Sequence, residues 1–223
     1  MKKVLAMLMA ALMVAAMFTG CSSSKPATET TAAAAAGTVK IGMSGPLTGG
    51  ASAYGLAVKA GMEVAVEEIN AKGGLQIEFN AQDDEADGEK AVSAYNVLKD
   101  WGMQISLGSV TTKPCEATSV LNNEDRIFGL TPSASSPAIT EGKDNVFQMC
   151  FMDPNQGSAS AQYIFDQKLG SKIAVIWKND DVYSTGIKEQ FVKEAETLGL
   201  EVGDTLQLKT QGDYADALTA SAF

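Results

Sequence analysis

The chain has 223 residues, with 17 lysines and arginines against 27 aspartates and glutamates, so its formal net charge is -10 at pH 7. Because binding to a phosphate backbone needs a basic surface, this charge argues against a nucleic-acid partner. The chain has no histidine, which excludes a Ser-His-Asp hydrolase and removes the commonest general base and metal ligand. We therefore expect no catalytic site, no metal and no cofactor.

Residues 1–20 have the pattern of a secretory signal. Two lysines precede an uncharged apolar run, Val4 to Phe18. This run of about 15 residues is shorter than the roughly 20 that a membrane-spanning helix needs, which favours cleavage over a permanent span. The following segment, Phe18-Thr19-Gly20-Cys21, resembles the bacterial lipobox. The resemblance implies that Cys21 receives a lipid and becomes the mature N-terminus; the alternative is an ordinary secretory signal that ends near a cysteine.

Residues 21–37 have the composition of a flexible tether. Beyond the cysteine they consist mainly of Ser, Thr and Ala with one Pro, and they contain no large apolar side chain to bury. We therefore expect an exported protein, anchored by its lipid to the extracellular or periplasmic face of a bacterial membrane. Export would permit a disulfide between Cys115 and Cys150, but the sequence does not decide whether they pair.

From Thr38 onward the chain alternates between strand-like and helix-like segments. The pattern predicts strands at 39–43, 75–79, 104–107, 126–130, 145–151, 173–177 and 201–208, and helices at 53–71, 87–101, 114–122, 156–169 and 184–198. Regular alternation of this kind predicts an α/β fold in which helices flank parallel sheets.

Loops rich in hydroxyl groups follow two of the predicted strands. Residues 108–114 read Gly-Ser-Val-Thr-Thr-Lys-Pro, and residues 131–137 read Thr-Pro-Ser-Ala-Ser-Ser-Pro. Since ligands bind at the carboxyl ends of parallel strands, beside helix N-termini, neutral donors in these loops suit a small carboxylate. Capping of the helices that follow is the simpler interpretation of each loop. The glycine-rich residues 44–55 match neither a dinucleotide fingerprint nor a P-loop, which argues against a nucleotide.

Four segments occur in the order and at the spacing of one known family: Lys40–Gly49, Glu68–Gly74, the acidic pair Asp83-Asp84, and Thr131–Pro137. From Thr38 to about Tyr214 the chain is similar to the periplasmic binding proteins of branched-chain amino acid ABC transporters. The resemblance implies a type I fold with two Rossmann-like lobes that close on a small ligand.

The resemblance also implies the lobe boundaries. Residues 38–152 would form the N-terminal lobe and residues 153–223 part of the second lobe. Family members are longer, so we expect a C-terminally truncated form of a protein that is monomeric when complete.

The resemblance implies four ligand-binding positions in the hydroxyl-rich loops. By resemblance, Ser109 corresponds to the family serine that holds the ligand carboxylate. Ser133, Ala134 and Ser135 fall on the Thr-Pro motif, whose backbone groups and last hydroxyl reach the carboxylate and the amine.

Three further positions carry alternatives. Tyr54 and Tyr183 match family aromatic residues that stack on the ligand or close the cleft, and each is otherwise an ordinary core or surface tyrosine. Asp153 lies where the family crosses between lobes, and it faces the ligand amine or caps the next helix.

These observations predict a solute-binding lipoprotein that delivers a small, branched-chain type amino acid to an ABC permease. Two alternatives remain open: a binding module for amides, urea or aromatic acids, and a ligand-sensing receptor domain.

Overall fold

The structure, a computed structural model, describes residues 37–208. The predicted signal, the predicted lipid attachment site Cys21, the predicted tether up to residue 36 and the last residues of the predicted second lobe lie outside this range. In chain order the elements are β1 (Thr38–Gly45), α1 (Ser52–Ala71), β2 (Gln76–Asp83), α2 (Gly88–Trp101), β3 (Ile105–Ser106), α3 (Thr112–Glu124), β4 (Phe128–Thr131), a 3-10 turn (Pro137–Ile139), β5 (Val146–Gln148), α4 (Asp153–Asp166), β6 (Lys172–Lys178), α5 (Val182–Thr197) and β7 (Glu201–Leu208).

Every strand and helix predicted from the sequence is present, although most of their ends differ by one or more residues, and three differences are the clearest. Strand β2 continues to Asp83 instead of ending at Phe79, because all eight of its residues pair with β1. Strand β5 is only three residues long. Helix α4 begins at Asp153, three residues before the predicted start, since Pro154 suits the first turn of a helix, where no amide hydrogen is needed.

The strands form two parallel sheets, which confirms the predicted α/β fold. The larger sheet has the order β2-β1-β3-β4-β5, and the smaller contains β6 and β7. In the larger sheet β1 pairs with both β2 and β3. Strand β2 lies on one side of β1, and β3 and the strands after it lie on the other side. At such a change in strand order a crevice opens at the carboxyl ends of the two strands, here β1 and β3.

Each sheet has its own apolar core. Helix α2 is capped by Asp87, whose carboxylate accepts hydrogen bonds from two amides of the first turn, and it buries Tyr95 and Leu98. These two side chains form a cluster with Met103, while Phe191 and Leu200 belong to a separate cluster that serves the smaller sheet. Within residues 37–208, none of the helices has the length and apolar character required to cross a membrane.

Candidate ligand-binding site

A cavity of about 560 Å³ lies at the carboxyl ends of the strands. This volume falls within the roughly 300–1,000 Å³ that is usual for small-molecule sites. Both hydroxyl-rich loops line the cavity, as the sequence predicted. The remaining wall comes from the start of α1, from the loop after β2, from the residues between β5 and α4, from α4 itself and from the end of β6 to the start of α5. The lining residues are Ala51, Tyr54, Ala86, Val110, Thr111, Thr112, Lys113, Pro114, Ser133, Ser135, Cys150, Phe151, Gln156, Lys178, Asp180, Asp181 and Tyr183.

Hydrogen bonds join the two hydroxyl-rich loops along their length. We call this set the loop clamp; it consists of Thr131 Oγ1 donating to Ser109 O at 2.8 Å, Ser133 Oγ donating to Val110 O at 2.6 Å and Ser135 N donating to Thr112 Oγ1 at 3.4 Å. The three donors are the first, third and fifth residues of the second loop. The clamp fixes the spacing of the two loops and thereby the shape of this wall.

Two hydroxyl groups in the wall have no partner among the described residues. Ser135 Oγ and Thr111 Oγ1 are both buried and unpaired, and both residues line the cavity. Thr111 occupies the N-cap position of α3, yet its side chain makes no capping hydrogen bond. Because the first amides of a helix also lack intrahelical acceptors, this corner presents several donors to an anion.

Asp153 lies directly behind Ser135. It is 1 % exposed, its backbone amide donates to Ser135 O at 2.9 Å, and its Oδ1 has no partner among the described residues. Burial raises the pKa of Asp153, and the nearby hydroxyl of Ser135 opposes this rise although its geometry is not that of a hydrogen bond; the negative charges of Asp181 and Glu116 raise the pKa further. The N-cap of α4 is Met152, so Asp153 is the first residue of the helix and not its cap.

Charged side chains in the wall balance one another. Lys178 Nζ lies 3.4 Å from Asp180 Oδ1, and Asp181 Oδ2 accepts a hydrogen bond from the amide of Ser184 at 3.0 Å. Lys113 contributes the second positive charge. The two lysines therefore balance the two aspartates, and the wall has no large excess of either charge. Such a wall suits a ligand that carries no net charge.

Aromatic side chains provide the apolar part of the wall. Tyr54, from α1, is 67 % exposed, and Phe151 is 63 % exposed. Tyr183, from the first turn of α5, donates a hydrogen bond to Gln156 Oε1 at 3.3 Å. These rings leave substantial apolar surface uncovered, which a bound ligand can bury.

Two of the predicted positions, Ser109 and Ala134, lie one layer beneath the cavity. Ser109 is fully buried, and its Oγ contacts Ser44 Oγ at 2.5 Å and Thr118 Oγ1 at 3.1 Å. Ala134 is 1 % exposed and donates its amide to Thr131 Oγ1 at 3.1 Å.

Of the other predicted positions, Ser133, Ser135, Tyr54 and Tyr183 line the cavity. Sequence reasoning did not single out Thr111, because the helix was predicted to begin at residue 114, whereas α3 begins at Thr112 and Thr111 is its N-cap.

Both cysteines of the described range are free thiols. Cys150 lines the cavity and donates from Sγ to Ala134 O at 3.2 Å. Cys115 is buried, and this burial raises its pKa to about 12. Among residues 37–208 there is no group of three or more histidine, cysteine or acidic side chains arranged to hold a metal ion.

The fold and the cavity together define a class of protein that binds a small solute beside two parallel α/β sheets. Residues 38–221 match the family described as "Periplasmic binding protein", and the chain belongs to this family. This family consists of non-enzymatic binding proteins, in agreement with the prediction from the sequence. Membership in the family implies an extracytoplasmic location.

Relatives of known name support this assignment. The chain is 35% identical to the Leu/Ile/Val-binding protein homolog 3 of Brucella melitensis over 164 residues, which cover 72% of this chain and 44% of that protein. The substrate-binding protein LivJ of Streptococcus pneumoniae, solved in complex with isoleucine, superimposes with a TM-score of 0.75 at 26% identity, over 82% of this chain and 53% of LivJ.

A relative with a different cargo in its name is similarly close. The fatty acid ABC transporter substrate-binding protein of Thermomonospora curvata superimposes with a TM-score of 0.73 at 27% identity, over 83% of this chain and 48% of that protein. The chain thus spans about half the length of the relatives it matches.

Proposed function

We propose that this protein is an extracytoplasmic solute-binding lipoprotein, which captures a small amino acid of the branched-chain type and delivers it to an ABC permease. The observation that carries the proposal is the pair of unpaired buried hydroxyl groups on Ser135 and Thr111, which face the cavity beside the start of α3. An unpaired buried polar group costs about 1–3 kcal/mol, a cost that a bound carboxylate removes.

The rest of the cavity suits the other parts of an amino acid. The carboxyl group of Asp153, with its unpaired Oδ1 behind Ser135, supplies negative charge for the ligand amine. Tyr54, Tyr183 and Phe151 offer apolar surface for an aliphatic side chain. In this arrangement Ser133 and Ser135 contact the ligand, whereas Ser109 and Ala134 act from behind by holding the loop clamp in place.

Export and delivery rest on the terminal sequence and on the relatives. A lipid on Cys21 and a tether over residues 21–37 would hold the protein near a permease while leaving its two lobes free to close. The resemblance to proteins named for leucine, isoleucine and valine favours this cargo class. The fatty acid relative shows that a similar fold serves another kind of acid, so cargo identity needs a direct test.

The test compares ligands that differ by one group. Isothermal titration of the full-length protein with leucine, with isocaproate (which lacks the amine) and with isoamylamine (which lacks the carboxylate) should give binding for leucine alone. Isocaproate or benzoate binding as tightly as leucine would contradict an amino-acid cargo and favour organic acids. Binding of acetamide or urea instead would favour the amide alternative.

A matched pair of variants tests the carboxylate corner. Ser135→Ala should weaken leucine binding about tenfold or more, because a hydrogen bond to a charged group contributes about 1.5–3 kcal/mol. Ser93→Ala removes an exposed hydroxyl on α2, which bonds only within its own helix, and should leave affinity unchanged. Equal affinity of both variants would show that the Ser135 hydroxyl does not contact the ligand.

A further inference from the structure

One strand residue, Gln148, contacts the second hydroxyl-rich loop from behind the cavity wall. It is the last residue of β5, the outermost strand of the larger sheet within the described residues, and it pairs in register with Thr131 at the end of β4. The backbone amide of Met149 donates to Thr131 O at 3.1 Å. Beyond this point the ladder between the two strands ends, and residues 132–136 leave the sheet as a loop.

The side chain of Gln148 holds this loop where the backbone ladder no longer does. Its Nε2 donates to Ala134 O at 3.0 Å and to Ser136 O at 3.1 Å. A carboxamide nitrogen carries two hydrogens, so both of its donors are used. The two carbonyl groups belong to the residues immediately before and after Ser135. We call this pair of hydrogen bonds the Gln148 bracket.

The orientation of the carboxamide follows from its partners. Backbone carbonyl groups accept hydrogen bonds and cannot donate them, so the Nε2 end has to face the loop. At the other end, Gln148 Oε1 accepts a hydrogen bond from Thr140 Oγ1 at 3.4 Å. Thr140 directly follows the 3-10 turn, which itself begins directly after Ser136. Both ends of the carboxamide therefore hold the same stretch of chain, residues 134–140.

The bracket surrounds a residue with a fixed backbone and a free side chain. The amide of Ser135 donates to Thr112 Oγ1 at 3.4 Å, and its carbonyl group accepts the amide of Asp153 at 2.9 Å. Its buried Oγ, at the cavity wall, has no partner among the described residues. A loop serine commonly bonds its hydroxyl to a nearby backbone group. By fixing the carbonyl groups on both sides, the bracket keeps the loop from moving to provide such a partner.

The bracket holds the loop without being essential to the fold. Ala134 O also accepts from the Cys150 thiol at 3.2 Å, and Ser136 O also accepts from the Ile139 amide at 3.2 Å. Loss of the carboxamide therefore leaves neither carbonyl group without a partner, and we expect the protein to fold without it. These two donors come from different residues, whereas a single planar group of Gln148 joins both carbonyl groups and so fixes the backbone between them.

We propose that Gln148 is a positioning residue, whose carboxamide holds the backbone on both sides of Ser135 and thereby keeps the Ser135 hydroxyl directed at the ligand carboxylate. The proposal rests on the proposed function, because it concerns the same cavity and the same hydroxyl group. It gives a role to a polar strand residue that is not part of the cavity lining. Since Gln148 acts through Ser135, its contribution to affinity should vanish when the Ser135 hydroxyl is absent.

The experiment is a double-mutant cycle on leucine affinity, measured by isothermal titration of the full-length protein. Gln148→Met keeps the length of the side chain and removes the carboxamide. With Ser135 present, this change should weaken leucine binding about three- to tenfold, because the hydroxyl loses its fixed position. In the Ser135→Ala background the same change should alter the affinity by less than about twofold.

Gln162→Met is the matched control. The Gln162 carboxamide donates to Asp166 within α4, so its loss should leave leucine affinity unchanged in both backgrounds. Urea unfolding separates binding from stability, since Gln148→Met should shift the midpoint equally with and without the Ser135 hydroxyl. A purely structural role for Gln148 would weaken binding equally in both backgrounds. That outcome overturns the proposal, as does an unchanged affinity of Gln148→Met with Ser135 present.

If Gln148→Met does not fold, Thr140→Val releases the other end of the carboxamide and keeps the shape of the threonine side chain. Its effect on leucine affinity should also require the Ser135 hydroxyl, and equal affinities or equal losses in the two backgrounds would overturn the proposal. Absence of amino-acid binding by the wild type would refute the proposed function, and this inference with it. Additive effects in a protein that does bind leucine refute this inference alone.

Discussion

Thr131 is the residue on which the loop clamp depends most. It is 1 % exposed, and its hydroxyl both donates to Ser109 O at 2.8 Å and accepts the amide of Ala134 at 3.1 Å. Thr131→Val keeps the shape of the side chain and removes the hydroxyl, which leaves a buried carbonyl and a buried amide without this partner. At about 1–3 kcal/mol for each unsatisfied group, and allowing for partial relaxation, we expect a loss of about 2–4 kcal/mol in the free energy of unfolding.

Urea unfolding followed by far-UV circular dichroism measures this loss. The midpoint should fall while the slope with urea stays unchanged, since the substitution exposes no additional surface. Thr197→Val is the control, because the Thr197 hydroxyl is exposed and bonds only to Lys193 O within α5. We expect it to change stability by about 0.5 kcal/mol or less. If Thr131→Val costs no more than Thr197→Val, the loop clamp does not stabilise this wall.

Two further predictions concern a helix and the thiols. Gly55→Ala should destabilise the protein by about 1–3 kcal/mol, because a Cβ at this position would lie 2.0 Å from Pro46 O. Gly61→Ala is the control in the same helix: a Cβ there meets nothing within 4 Å, and the substitution should stabilise the protein by about 0.5–1 kcal/mol. Urea midpoints that shift in the same direction would contradict this packing. In the native protein, alkylation at pH 8 resolved by peptide mass spectrometry should modify Cys150 well before the buried Cys115, whose pKa is about 12; equal rates would disprove the difference in burial.

The meeting of the two hydroxyl-rich loops was predictable from the sequence. Alternating strand and helix patterns dictate a parallel sheet, and the carboxyl ends of neighbouring parallel strands lie at one edge. Residues 108–114 and 131–137 follow β3 and β4, which are neighbours in the sheet. Their shared wall therefore follows from the parallel fold together with the adjacency of these two consecutive strands.

Which hydroxyl groups of that wall remain free could not be predicted. Ser109, Thr111 and Ser135 have the same kind of donor, and their availability depends on partners that lie far away in sequence. Ser44 and Thr118 occupy the hydroxyl of Ser109, whereas those of Thr111 and Ser135 stay unpaired among the described residues. The family resemblance emphasised Ser109, but three-dimensional neighbours make Thr111 and Ser135 the groups that face the cavity.

The opposite wall depends on two glycines that do not line the cavity. A Cβ on Gly157 would lie 2.5 Å from Ile187 O, and one on Gly186 would lie 3.2 Å from the Cβ of Asp153. The backbones of α4 and α5 are therefore nearly in contact. Any side chain at position 157 would push the two helices apart. This contact brings the first turns of the two helices together, so that Tyr183 reaches Gln156 across them. The position of this wall thus depends on the two glycines at the contact between α4 and α5. The residues that line the cavity do not determine it by themselves.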